Sequence, residues 1–165
     1  MNHVLLSASP GLIARWAKLY SDSKSVSATV TFAHLGGVLL GGGFAIVADR
    51  SSLRLAPAGS GERARELREL AAVHPWVLWG LGITFATGLL QLFADLTTFL
   101  PSAVFWTKMS LVALLLGNGY VRMRTERTLI AGGAGAERRF RGTSIVSLVL
   151  WFAILLAGTM LTTVS

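Results

Sequence analysis

Three ionisable residues lie inside the long apolar runs of this chain: His34, Asp95 and Lys108. If these runs cross a membrane, ionisable side chains within them are costly, and by default they suggest a function. Counted from the ends of their runs at a rise of about 1.5 Å per residue, their depths agree to within about 5 Å. The sequence therefore predicts one intramembrane polar layer made of these three side chains.

The polar layer has three interpretations. Asp95 and Lys108 face each other across a tight hairpin with opposite charges, which predicts a structural ion pair. His34 beside that pair could instead titrate in a proton or ion relay. As a third interpretation, His34 is a candidate ligand for haem b or a metal ion, although a lone histidine on a glycine-rich face is more often a hydrogen-bonded packing residue. His74 is a poor second axial ligand, because its predicted depth differs from that of His34 by about 10–15 Å.

The sequence contains no other recognisable catalytic motif. It has no HExxH motif, no P-loop, no nucleophile elbow and no pair of carboxylates within one apolar run. It also has no cysteine, which excludes disulfides and thiolate ligands. We therefore expect a protein that is not an enzyme of the ordinary hydrolytic or transfer kind.

The composition indicates that lipid is the main solvent of the chain. Hydrophobic residues make up 53% of the 165 residues and charged residues 14%, against about 45–50% and about 25% in soluble domains. A membrane-spanning helix needs about 20 apolar residues. Four runs meet this length, and they do not alternate as membrane strands would. We predict an all-α membrane four-helix bundle in one domain, with spans over 25–48, 71–98, 101–121 and 142–163.

The loops between the runs carry most of the positive charge. Residues 49–70 and 122–141 hold 11 of the 15 Lys and Arg residues. The positive-inside rule therefore predicts that both loops are cytoplasmic and both termini outside. Because the net charge of +7 belongs to such loops, nucleic acid is not expected as a partner. Residues 61–72 predict a cytoplasmic helix, and 12–20 predict a short amphipathic interfacial segment or a loosely ordered tail.

Small residues at four-residue spacing form one face in each of the first two runs. Such faces let helix backbones approach closely in lipid. We expect the two runs to pack against each other, although the same glycines could instead make room for a flat cofactor. The residues are Ala33, Gly37, Gly41 and Ala45 in the first run and Gly80, Thr84 and Gly88 in the second.

The segment HLGGVLLG from His34 and the segment Thr87-Gly-Leu-Leu, with residues that follow each of them within roughly 30–120, resemble a family of small bacterial four-span membrane proteins. The first is HLGGVLLG from His34, followed by Asp49-Arg50 and Leu53-Arg54-Leu55. The second is Thr87-Gly-Leu-Leu, followed by Phe105-Trp-Thr-Lys108 and residues 111–118.

This resemblance implies the fold but no activity, and it marks His34, Asp49, Asp95 and Lys108 for testing. The chain is also distantly similar to copper-resistance D-like and cytochrome b561-like bundles, whose histidines bind haem or copper. It departs from the latter because it lacks paired histidines at matched depth.

Taken together, these features predict a non-enzymatic accessory or structural subunit of a larger complex in a bacterial cytoplasmic membrane. Its partners would be the lipid bilayer and other membrane subunits or a second copy of the chain. The alternative is a haem-b protein for transmembrane electron transfer that uses His34. A third hypothesis is a small proton- or ion-coupled transporter that uses the polar layer.

Overall fold

The computed structural model describes residues 10–54, 60–130 and 135–164, and these ranges are helical apart from short connections. No strand occurs within them, so the prediction of an all-α bundle is confirmed. The helices are α1 (Pro10–Asp22), α2 (Lys24–Arg54), α3 (Ser60–Ala94), α4 (Leu96–Phe99), α5 (Ala103–Ile130) and α6 (Ala136–Val164).

Four of these helices are long and apolar enough to cross a membrane, judged by length and composition. The helix predicted over 61–72 is the first part of α3, which runs on into the second span through Pro75. That helix ends at Ala94 rather than at 98, because Asp95 leaves helical geometry and caps the single turn of α4. The candidate spans are Lys24–Leu53, Ala72–Ala94, Ala103–Leu129 and Ala136–Leu161.

The bundle consists of two tight helix pairs, α2 with α3 and α5 with α6, which meet where α2 packs on α6. Its core cluster comes from α2, α5 and α6: Ala45, Leu115, Leu150, Trp151 and Ile154. We call the end that carries the turn between α3 and α5 the hairpin end. The opposite end, where α2 ends and α6 begins, is the loop end.

The small faces of α2 and α3 bring the two backbones into direct contact. A Cβ atom added to Gly80 would lie 2.2 Å from the backbone nitrogen of Gly41. One added to Gly37 would lie 2.9 Å from the backbone nitrogen of Thr84. Atoms cannot approach so closely, so only glycine fits at these positions. The partner backbone thus fills the space that the glycines leave.

Helix α1 packs against α3 and α2 at the hairpin end. The indole nitrogen of Trp16 donates to the carbonyl of Leu90 at 2.8 Å, and the Trp16 ring lies 5.9 Å from that of Tyr20. The amphipathic segment predicted over 12–20 is therefore a helix, held to the α2–α3 pair by its aromatic side.

Candidate functional site

His34 bridges α2 and α3 in the half of the bundle nearer the hairpin end. Its Nδ1 lies 3.1 Å from the hydroxyl oxygen of Thr87. That hydroxyl donates its single proton to the carbonyl of Ile83 at 2.6 Å, so it can only accept from His34. This arrangement favours the tautomer of neutral His34 that carries its proton on Nδ1.

Lys108 reaches from α5 toward the same region. Its side chain is half-buried, and its Nζ lies 3.6 Å from the position of a Cβ atom on Gly158 of α6. His34 and Lys108 thus lie in the same half of the bundle, on different helices.

Asp95 does not join them. Its exposed carboxylate accepts hydrogen bonds from the Thr98 backbone N–H at 3.1 Å and from the Thr97 hydroxyl at 3.0 Å. These bonds, those from Thr98 above all, hold the pKa of Asp95 below its ordinary value. No ion pair joins Asp95 to Lys108, both of which lie in the described ranges. The predicted pair is absent because capping α4 gives the carboxylate other partners.

The polar layer therefore contains two of its three predicted members. Thr87, which bonds to His34, precedes Asp95 on α3 by eight residues, or about 12 Å along the helix axis. The predicted depth of Asp95 assumes that the second span is one helix over 71–98, whereas α3 ends at Ala94. Asp95 belongs to the turn rather than to the span.

The surroundings of His34 do not fit a haem between α2 and α3. The ring atom Cε1 of His34 is 3.3 Å from the position of a Cβ atom on Gly88, and the two backbones touch farther along. His74 is exposed, and it lines the groove at the loop end. Among the described residues, no group of three His, Cys, Asp or Glu side chains is placed to hold a metal ion.

A second polar cluster lies at the loop end and is centred on Asp49, whose side chain is completely buried. Asp49 of α2 forms an ion pair with Arg122 of α5. The guanidinium of Arg122 also donates to the hydroxyl of Ser52 at 2.8 Å. It lies 5.2 Å from the ring centre of Phe140 on α6. One arginine thus connects three helices.

Hydroxyl groups of α6 complete this cluster. Ser144 and Ser147 face the Asp49 carboxylate and are buried. Oδ2 of Asp49 and Oγ of Ser144 nevertheless have no hydrogen-bond partner within the described part of the chain. Nearby, the Asn118 amide donates to the Thr143 carbonyl at 2.8 Å and ties α5 to α6. The contacts are those of a structural junction, since they tie α2, α5 and α6 to one another.

Sequence reasoning marked Asp49 through the resemblance alone and missed its partner. A signal was present, since Asp49 follows the first apolar run and Arg122 follows the third. Both runs end at the same side of the predicted bundle, and the two charges are opposite. The depth comparison applied to His34 and Lys108 would have paired them.

A groove of about 530 Å³ separates α3 from α5 on the loop-end side. Its floor is formed by α2 and α6, with Ala45 and Trp151 among the lining residues. Its walls are mostly apolar near the middle of the spans, and polar side chains gather toward the loop end. The wall residues used below are Val77, Leu81, Leu115 and Gly119, and the polar ones are His74, Arg122, Glu126 and Arg127.

Comparison of the chain with protein-family models, with curated proteins and with solved structures finds no match. Its function therefore has to be inferred from its own residues. Its four long apolar helices indicate a multi-pass membrane protein.

Proposed function

We propose that this protein is a non-enzymatic subunit of a larger assembly in a bacterial cytoplasmic membrane, which it joins through the outer face of α5. The observation that carries this proposal is an exposed strip of small residues on α5, formed by Ser110, Ala113 and Gly117. Nothing lies within 4 Å of the position of a Cβ atom on Gly117. Small residues at this spacing let another helix approach closely in lipid.

The outer faces of α2 and α6 differ from this strip. They expose large apolar side chains, such as Phe32 and Leu39 on α2 and Val149 and Phe152 on α6. Such side chains suit contact with lipid tails. Helix α5 is also the least enclosed of the four candidate spans. Of the four candidate spans, α5 therefore leaves the largest share of its residues exposed for contact with a partner helix.

The two alternatives lack this kind of support. The transporter hypothesis uses His34, Asp95 and Lys108 as one layer. Asp95 lies outside that layer, because it caps α4 in the turn. Electron transfer through haem at His34 needs space that the contact between α2 and α3 fills.

The orientation belongs to the same proposal. The loops over 49–70 and 122–141 carry 11 basic and 6 acidic residues, whereas the segment before the first span carries three basic residues, Arg15, Lys18 and Lys24, and one acidic residue, Asp22. By the positive-inside rule, the loop end is cytoplasmic. Because the chain lacks cysteine, the variants Leu100→Cys and Thr128→Cys each carry one thiol. An impermeant maleimide added to spheroplasts should label only the first, and labelling of only the second would reverse the orientation.

The proposed docking face can be tested by site-specific photocrosslinking in native membranes. A photoreactive benzoylphenylalanine replaces Ala113 in the full chain, and a matched variant carries it at Phe152. We expect a discrete adduct with another membrane protein from position 113 only. Adding Gly117→Leu should abolish the adduct while the chain stays folded, because open space surrounds that position.

Two results would contradict the proposal. Lipid adducts alone at both positions would show that α5 simply faces the bilayer. An adduct of twice the chain mass would replace the accessory role with self-association.

A further inference from the structure

The groove between α3 and α5 has the length of one bilayer leaflet. From Leu81 to Val73 it follows α3 for eight residues, and from Leu115 to Arg127 it follows α5 for twelve. At about 1.5 Å per residue these distances are about 12 and 18 Å. Half of a hydrocarbon core of about 30 Å is about 15 Å. A partner helix that crosses the membrane would need a face twice as long.

The groove is apolar at its inner part and polar at its loop-end mouth, as a lipid is apolar in its acyl chains and polar in its headgroup. Its inner part is lined by Val77, Leu81 and Leu115 over the ring of Trp151. Its loop-end mouth presents Arg127, with His74 and the edge of Arg122 beside it. Ligand sites of about 300–1,000 Å³ are typically apolar with a few polar groups of this kind. The groove therefore matches an amphiphile with an acyl chain and an anionic head.

The charge of the loop end selects an anionic head. The two loops at this end hold 11 arginines and 6 acidic residues. Of the cations that line the groove, Arg122 is paired with Asp49. Glu126 is an acid on the same wall, and it opposes an anion there. Arg127 is thus the main cation available to a phosphate group.

We infer that this groove is a binding site for one anionic glycerophospholipid. An acyl chain lies between α3 and α5, and the phosphate contacts Arg127. Basic pockets between membrane helices bind anionic headgroups in this way, with about 1 kcal/mol from each cation near the surface. The site is distinct from the proposed docking face, since Ser110, Ala113 and Gly117 are not among the residues that line the groove.

The test is native mass spectrometry of the full chain in detergent, titrated with palmitoyl-oleoyl phosphatidylglycerol or with the matching phosphatidylcholine. We expect one phosphatidylglycerol per chain, bound more tightly than phosphatidylcholine. Arg127→Gln should weaken its binding about fivefold. Glu126→Gln should strengthen it, because the like charge is removed. Arg139→Gln is the matched control, since this exposed residue lies at the same end but outside the groove.

A blocking variant tests the location of the lipid. Gly119 lines the groove with nothing within 4 Å of the position of its Cβ atom. Gly119→Leu should therefore fill the groove, abolish phosphatidylglycerol binding and leave the melting temperature unchanged.

Four results would overturn the inference. Equal affinity for the two lipids would show that the headgroup charge does not contribute to binding. A loss of phosphatidylglycerol affinity in Arg139→Gln as large as that in Arg127→Gln would show diffuse attraction to the loop end. Phosphatidylglycerol that remains bound to Gly119→Leu would lie elsewhere. A dimer that Gly119→Leu dissociates would identify a second copy as the occupant. Each of these results is independent of the crosslinking at position 113.

Discussion

The two ends of the bundle both hold a cation within the candidate spans, but the cations have different surroundings. At the loop end, Arg122 is paired with the buried carboxylate of Asp49. Toward the hairpin end, Lys108 is half-buried and has no acidic partner among the described residues. We therefore expect loss of the cation to destabilise the protein at Arg122, where a buried carboxylate would lose its partner, and to stabilise it at Lys108.

The helices around each cation explain this difference. Three helices converge on Asp49 and bury its side chain completely. A buried carboxylate without a counter-charge would destabilise the fold, so Asp49 needs the ion pair with Arg122. Near His34, α2 and α3 are held by backbone contact between glycines and by a neutral hydrogen bond to Thr87. Lys108 adds no bond to that contact.

The largest expected effect is at the loop end. Arg122→Met leaves the Asp49 carboxylate buried without a partner and should lower the free energy of unfolding by about 3–5 kcal/mol. Asp49→Leu should have a similar cost, because it leaves the guanidinium unpaired. The measurement is equilibrium unfolding in mixed micelles.

The double variant Asp49→Leu/Arg122→Met provides the control. Its loss should be smaller than that of either single variant, since no unpaired charge remains. Additive losses would show that the two residues do not act as a pair.

The next effect concerns the α2–α3 contact. Gly80→Ala places a Cβ atom 2.2 Å from the backbone of Gly41, so the helices must separate, at a cost of about 1–3 kcal/mol. Gly82→Ala is the matched control on the same helix, because nothing lies within 4 Å of its Cβ position. Equal melting temperatures for the two variants would contradict the backbone contact.

Lys108 should respond in the opposite direction to Arg122. Lys108→Met removes a half-buried charge without breaking an ion pair and should stabilise the protein, by up to about 2.5 kcal/mol on insertion scales for a central lysine. The measurement is again unfolding in mixed micelles. A destabilised variant would show that Lys108 has a counter-charge, and it would remove the contrast between the two ends.

The smallest effect is at Asp95. The pKa of Asp95 is lower in the folded protein than in the unfolded chain, so the ionised carboxylate stabilises the folded protein. This stabilisation is complete above the unfolded pKa of about 3.9, and it is lost as the pH falls through the lower folded pKa. Asp95→Ala should cost about 1 kcal/mol or less at pH 7, and this cost should shrink below about pH 4. Thermal unfolding from pH 2 to 7 measures it. Asp95→Asn, which retains a cap, should show no such pH dependence.

Much of the fold could be predicted from the sequence, because the hydrophobic effect acts on runs of residues. The apolar runs predict four spans, and the spacing of Arg and Glu over 61–72 predicts a helix. The small-residue faces indicate which sides of the first two spans pack against each other. The boundaries were less predictable. Whether the second helix ends at Ala94 or at 98 depends on one side chain, Asp95, and its bond to Thr98.

The candidate sites could be predicted only in part. Depth placed His34 near Lys108, but it also placed Asp95 there, because counting along a run does not show where a helix breaks. Arg122 and the serines of α6 were missed, since a charge at the end of a run resembles an ordinary loop residue until its partner is known.

The amino-acid sequence alone is enough to predict helices suited to a membrane, with basic loops and small-residue faces. These properties follow from local composition and period. The pairing of Arg122 with Asp49, the lack of an acidic partner for Lys108 among the described residues, and the groove between α3 and α5 depend on the packing of the helices. Such outcomes depend on the rotation of each helix and on which neighbour it packs against, and residues far apart in the sequence fix both.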